Sequence, residues 1–510
     1  MASDVSSRPN RTSLLPNAVG LIAVVLFAIT TAGPALSADS GLVVSTSYAG
    51  GSTPLAVLLA TIAILLVAAS LGQLARYLPS AGGLYTYTSH GLGRVMGFLT
   101  GWLLILGYVL IPPLVILVFA YVSQADLTAN AGAPTWIWAP IALAVVAVGW
   151  GLTIRGVRIS TRAGVVLGAV EMLIFVAFAI NLIALAGSHN TLRVFEPSIG
   201  NSDGMGSVFV AMIYAVLAFI GFDGVASMAE EARQPRRNIP RALIWSTAAM
   251  GVFWLLCYYA AVVYFGPDKT GNPAHGFAVL NGGDPWGGLA HKLWGGAWLL
   301  ILVAVLSSAF ASSTNSANAG TRIGFSLGRS GLFPRRLAFV HPRFRTPYVA
   351  LTAQAVLTIA IMLGLGYGLG SPEAAFAFIG TIITILFVVV YGIVCVACIA
   401  YFLTERRDVF NPILHLLIPL LGVLFMVPVL IASFGINFGN LGIAPLGGSL
   451  RWAPLTAGIW LVLGAAALIV LYGRDPARLA SMRNLFVDSD HAASPAEESP
   501  PVEPGASVTT

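Results

Sequence analysis

The chain reads as an all-α, multi-pass membrane protein with twelve transmembrane helices. Three observations predict this. Of 510 residues, 57% are hydrophobic and 9% are charged, whereas an ordinary soluble domain has about 25% charged residues. The apolar residues gather in twelve runs, each near the roughly 20 residues that a helix needs to cross a bilayer. The charges lie between the runs and alternate by side. Runs this long and evenly apolar are not barrel strands. Backbone amides in lipid must be satisfied within the segment, which leaves helices.

The predicted spans, in order, are 18–37, 54–74, 95–122, 135–154, 163–187, 206–228, 241–265, 294–323, 347–368, 375–402, 412–434 and 453–472. Residues 1–17 form a polar lead. If that lead is cytoplasmic, every second loop collects basic residues. Only Arg193, Lys269, Lys292 and Arg451 of the 26 fall on the other side. One miscounted span would scramble this positive-inside pattern. Both termini are therefore expected in the cytoplasm. The net charge of +6 follows from topology and argues for no nucleic-acid partner; the expected surroundings are a lipid bilayer. ALSA (35–38) has the look of a signal-peptidase site. Its apolar run is too long for a signal peptide, and eleven more follow. Residues 473–510, rich in Pro, Ser, Ala and Glu, are expected to be a disordered cytoplasmic tail.

Two spans carry interruptions. The first has Gly33-Pro34 in mid-run, and the sixth has FIGFDG (219–224), with Asp223 between two glycines. Proline removes an amide donor and clashes with the preceding turn. Five spans separate the two starts. Five is odd, so a second set of five enters the membrane from the opposite side. Broken helices at matching places in two halves point to an inverted-repeat transporter. The repeats are then 18–187 and 206–402, with two additional spans in 412–472. Interrupted backbone at membrane depth is tolerated where it lines a polar cavity. Half-helix N-termini offer donors to an anionic group, and the opposite ends offer carbonyls to an ammonium. An α-amino acid or related amine matches both.

Three stretches resemble one known family. LAFIGFDGVASMAEEARQPRRNIPRAL (217–243), PSAGGLYTYTSHGLGRVMGFLTGW (79–102) and TRIGFSLGRSGLFP (321–334) followed by HPRFRTP (341–347) are similar to segments of the amino acid/polyamine/organocation superfamily of permeases. The resemblance implies a leucine-transporter-like 5+5 fold working by alternating access. It implies a substrate held by Ile29, Thr30, Thr31, Ala32 and Gly33 of the first span and Phe219, Ile220, Gly221, Phe222 and Asp223 of the sixth. ITTAGP carries less glycine than the family's usual first-span loop. Some relatives have a gating aromatic six residues before the acid; here Leu217 stands there, leaving Phe219 or Phe222 for that task.

Further residues carry possible chemistry. An intramembrane acid is costly and faces the bundle interior or water. Asp223 is thus a gate, a proton carrier or an amine contact, or else a cap on the restarting helix. Glu171, in the fifth span, suits a group that takes up and releases protons, or a structural pair with Arg94 or Arg322. The eighth span has a polar patch, Ser312, Ser313, Thr314, Asn315 and Asn318. Hydroxyls there hold sodium in some relatives, though small polar residues also link membrane helices. Glu230, Glu231, Arg233 and Arg237 at the cytoplasmic mouth could form a gate of ion pairs or a solvated loop. Cys395 and Cys398 form a CxxC without a second pair or a nearby histidine, so no zinc site is expected. No cofactor motif and no nucleophile–base spacing is present, so no cofactor, resident metal or enzyme activity is expected.

The expected function is secondary active transport of amino acids or related amines, as proton-coupled import. An exchanger and a sodium symporter are the alternatives. A channel is disfavoured by the lack of a filter or charged ring, and a nutrient receptor by the short tails. Arginine nearly replaces lysine and Ala, Gly and Val dominate, which suits the inner (plasma) membrane of a GC-rich bacterium.

Overall fold

The computed structural model describes residues 20–80, 82–156, 161–201, 203–229, 232–329, 334–344, 346–436 and 446–474. Sixteen α-helices follow one another among the described residues. They are α1 (Leu21–Ala32), α2 (Pro34–Ala38), α3 (Gly41–Ala49), α4 (Thr53–Tyr77), α5 (Gly83–Leu92), α6 (Arg94–Ala131), α7 (Trp138–Ile154) and α8 (Thr161–Ala186). Then come α9 (Met205–Phe219), α10 (Pro235–Phe265), α11 (Pro285–Trp294), α12 (Leu299–Arg329), α13 (Tyr348–Gly368), α14 (Pro372–Thr404), α15 (Ile418–Ser433) and α16 (Ala453–Arg474). No β-strand is present among the described residues.

The helix boundaries have local causes. Proline opens α10, α11 and α14, where its missing N–H is one that a first turn does not use. Ser371 caps α14, its hydroxyl accepting from Ala374 N–H at 3.1 Å. Asp284 caps α11 through Gly287 N–H at 2.8 Å.

Eleven helices among the described residues are long and apolar enough to cross a membrane. Twelve spans were expected, and the difference lies at the N-terminal end. There α1 has only 12 residues, and α2, α3 and α4 follow one another with short breaks across the 44 residues Pro34–Tyr77, which count as one span. The outer faces carry exposed Leu173, Ile180, Val252, Val303, Val356 and Val462. In water such a surface would drive association; against lipid tails it is neutral. The chain is an integral membrane protein.

Inside, α4 packs along α10, α6 lies between α12 and α14, and α3 packs on α9. The short α1 is held by α8, α10 and α12. This arrangement sets the broken first span beside the broken sixth.

Candidate functional site

The first apolar run is broken twice. Gly33 ends α1 with φ 62°, a left-handed conformation that costs other L residues about 1–2 kcal/mol. Pro34 then opens α2, which stops after five residues at Asp39 and Ser40 before α3 begins. The sequence reading ends the span at 37, so it places this second break beyond the membrane run. The carbonyls freed by the breaks are taken up by side chains, as buried backbone groups must be. Trp254 Nε1 donates to Pro34 O at 3.0 Å. Tyr258 Oη and Trp286 Nε1 donate to Ala38 O at 2.6 and 3.0 Å. Ser37 Oγ donates to Ala32 O at 3.0 Å.

In the sixth span α9 ends at Phe219. Ile220 is extended, Gly221 has φ 114°, and the chain continues as a 3-10 turn, Phe222–Met228. Asp223 fastens this break. Its Oδ1 accepts from Gly221 N–H at 3.2 Å and from Tyr391 Oη at 3.1 Å. Its Oδ2 accepts from Tyr108 Oη at 3.3 Å. The side chain is buried. The two breaks touch: a Cβ added to Gly221 would stand 3.3 Å from Thr31 Cγ2.

Between the breaks lies a cavity of about 410 Å³, within the ~300–1,000 Å³ of small-molecule sites. Thr31 and Ala32 form one wall, Ile220 and Gly221 another, with Tyr108 and Asn315 facing them from α6 and α12. Its lining also includes Ser40 and Gly41 of the second break and Thr346 and Pro347 just ahead of α13. No Asp, Glu, Lys or Arg lines it among the described residues. Backbone ends, hydroxyls and the side-chain amides of Asn315 and Asn318 are its polar groups.

Of the residues expected to hold substrate, Thr30, Thr31, Ala32, Ile220 and Gly221 face the cavity. Ile29, Gly33, Phe219, Phe222 and Asp223 are not among its lining residues. Phe219 packs edge-on against Trp254, ring centres 4.8 Å apart, and Phe222 lies beside Tyr391. Tyr108 and Tyr391 were not singled out from sequence. A tyrosine in an apolar run carries no sign that its hydroxyl meets a carboxylate from another span.

Glu171 is buried in α8 and accepts from Ser307 Oγ of α12 at 3.0 Å. No described ion pair includes it; the Arg322 side chain lies outside the described residues. In the polar patch, Ser312 Oγ donates to Thr31 O at 3.1 Å and joins α12 to the end of α1. Asn315 faces the cavity, and Ser313 bonds its own helix at Phe310 O. Arg233 and Arg237 are exposed near the start of α10; Glu230 and Glu231 lie outside the described residues.

A polytopic helical membrane protein with a ligand-sized cavity between two broken spans is the class that these features define. Residues 19–465 match the family described as amino acid permease, and the chain belongs to that family. It is similar to the low-affinity putrescine importer PlaP of Escherichia coli strain K12, 27% identical over 388 residues, covering 74% of this chain and 82% of that protein. It is also similar to the branched-chain amino acid permease BcaP of Bacillus subtilis, 28% identical over 347 residues, 65% and 68% of the two chains. The glutamate/serine transporter AimA of the same species is 26% identical over 352 residues, 63% and 61% of the two chains.

Proposed function

We propose that this chain is a secondary active transporter of amino acids or related amines that imports them with protons by alternating access. One observation carries the reading: two broken helices meet at a neutral, ligand-sized cavity at membrane depth. Such breaks are tolerated only where they line a polar space. The relatives, which transport solutes as different as putrescine, branched-chain amino acids and glutamate, support the class of solute and leave its identity to experiment.

The twelve-span, 5+5 topology belongs to the same reading. The 44 residues Pro34–Tyr77, as one continuous helix, would be about 66 Å long at 1.5 Å per residue, twice the ~30 Å hydrocarbon core. The turn at Gly50–Ser52 divides them into the end of a first span and a complete second. With basic loops inside, both termini are cytoplasmic, and Thr346 and Pro347, which line the cavity, lie on its cytoplasmic side. Asp223 then acts on substrate through the wall: it fixes Gly221 and Tyr108, both of which face the cavity. Glu171, hydrogen-bonded to α12 yet without a described cationic partner, is the inner proton carrier.

A second reading, sodium coupling, draws on the Ser312–Thr31 pair. A hydroxyl and a carbonyl oxygen 3.1 Å apart at a helix break are hard donors suited to such an ion.

The test is uptake into proteoliposomes of labelled neutral, acidic and basic amino acids, γ-aminobutyrate, ethanolamine and putrescine. Each is run with a pH gradient, a sodium gradient or trans-loaded solute. Accumulation on the pH gradient alone supports proton import. Sodium dependence selects the second reading, and transport only with trans-loaded solute selects an exchanger. No uptake of any solute under any gradient contradicts the transporter reading.

A further inference from the structure

The cavity between the two breaks has two unlike sides, and the difference narrows the solute. One side is polar: Thr31 stands at the end of α1, with Ser312 and Asn315 on α12. The other side is apolar. Ile111, Leu114, Val115 and Val118 of α6 line it at the spacing that puts them on one helix face. Phe376 and Ile383 of α14 join them, again from one face of their helix. Among the described residues, no charged side chain of α6, α9 or α14 lines the cavity.

These apolar faces converge on Leu217, near the end of α9. A Cβ added to Gly380 of α14 would stand 2.7 Å from Leu217 Cδ2 and 3.7 Å from Leu114 Cδ1. A Cβ added to Gly41 would stand 3.8 Å from Leu217 Cδ2 and 3.9 Å from Phe376 Cζ. The Leu217 side chain thus fills the notch that Gly380 leaves in α14, close to Leu114 and Phe376, while still lining the cavity. Its seat sets how deep the apolar side reaches.

An apolar group gains by leaving water for such a surface. An unpaired ammonium or carboxylate loses by the same move. The acid of the sixth span offers no counter-charge. Asp223 is not among the lining residues, and its oxygens accept from Gly221 N–H, Tyr391 Oη and Tyr108 Oη. Glu171 accepts from Ser307 and does not line the cavity either.

We propose that the solute is an amino acid of no net charge with an aliphatic side chain, lodged against α6 and α14, and that Leu217 in the Gly380 notch sets the largest side chain admitted. The proposal deepens the transport reading above and rests on its placing of solute between the breaks.

The full chain is purified as wild type, Leu217→Ala and Gly380→Ala. Calorimetric titration measures binding of leucine, alanine, phenylalanine, lysine, glutamate and putrescine, and proteoliposomes measure uptake and counterflow of the same solutes. Wild type should bind leucine at least about ten-fold tighter than lysine, glutamate or putrescine, because a charge on the apolar side has no partner. Leu217→Ala empties the notch and should raise the phenylalanine-to-leucine affinity ratio about ten-fold. Gly380→Ala sets a methyl against Leu217 Cδ2, drives that side chain into the cavity, and should lower the leucine-to-alanine ratio about ten-fold. Ratios within one variant do not depend on the stability that it loses; if Gly380→Ala does not fold, Leu217→Ala decides.

Lysine, glutamate or putrescine bound as tightly as leucine and taken up overturns the solute class and leaves the transporter reading standing. Unchanged ratios in Leu217→Ala overturn the role of Leu217. Leucine binding to a wild type that neither accumulates nor exchanges any solute overturns the transporter reading and leaves the class of ligand standing. Failure of every probe to bind overturns the class.

Discussion

Asp223 shows how one side chain can shape a site without lining it. Its two oxygens collect one backbone and two tyrosine donors, from its own span, α6 and α14. Tyr391→Phe removes one of the two donors described at Oδ1 and leaves the Gly221 amide. A lost hydrogen bond to a buried carboxyl oxygen costs about 1–3 kcal/mol. The expected outcome is a lower melting temperature, read by thermal shift in detergent, with substrate affinity reduced through a loosened break. Tyr108→Phe removes the hydroxyl that donates to Asp223 from a side chain that lines the cavity. It should weaken substrate binding more than it weakens stability, seen as a raised KM in counterflow. Glu171→Gln keeps an oxygen to accept from Ser307 but holds no exchangeable carboxyl proton. It should spare counterflow and abolish pH-driven accumulation; unchanged accumulation would return Glu171 to a helix-pairing role. At this scale the sequence was readable where an unusual residue stood in an apolar run, as with Asp223 and Glu171. Tyr108 and Tyr391 were not readable, because a long-range partner, and not the residue type, gives each its task.

At the scale of elements, the two breaks are built differently. The sixth-span break turns on Gly221, whose φ of 114° is foreign to side-chain-bearing residues. Gly221→Ala adds backbone strain and sets a methyl 3.3 Å from Thr31. Counterflow should fall by about ten-fold or more, as expected when about 1–2 kcal/mol of strain and a misplaced wall act together. Wild-type rates in this variant would mean that the two breaks do not have to touch. The first-span break is longer than the pattern suggested. Gly33-Pro34 announced its start, since that dipeptide stops a helix by known chemistry. Its second half, Asp39-Ser40, lay past the predicted end at 37 because three polar or small residues read as loop. Trp254, Tyr258 and Trp286, which satisfy the freed carbonyls, make that stretch tenable inside the bundle.

Across the whole molecule, composition and charge placement made the membrane class and most helix positions readable. The hydrophobic effect and the cost of bare amides in lipid leave few alternatives to long helices. The cavity was less readable, since its walls are drawn from residues up to several spans apart. The proposed topology has its own check. Single cysteines at Leu192 and Arg407, in a chain freed of Cys257, Cys395 and Cys398, should react with a membrane-impermeant thiol reagent from opposite faces. Labelling of both from the same face would remove the odd number of crossings between them.

The central claim is that substrate sits between the two breaks. The most direct measurement is thiol labelling of Thr31→Cys and Asn315→Cys, two cavity positions on facing helices, in the same cysteine-free background with a transported solute present or absent. The account predicts that both react and that saturating solute slows both by about ten-fold or more, whereas a cysteine at exposed Arg237 reacts alike in either condition. Equal labelling of the two cavity cysteines with and without solute would contradict it.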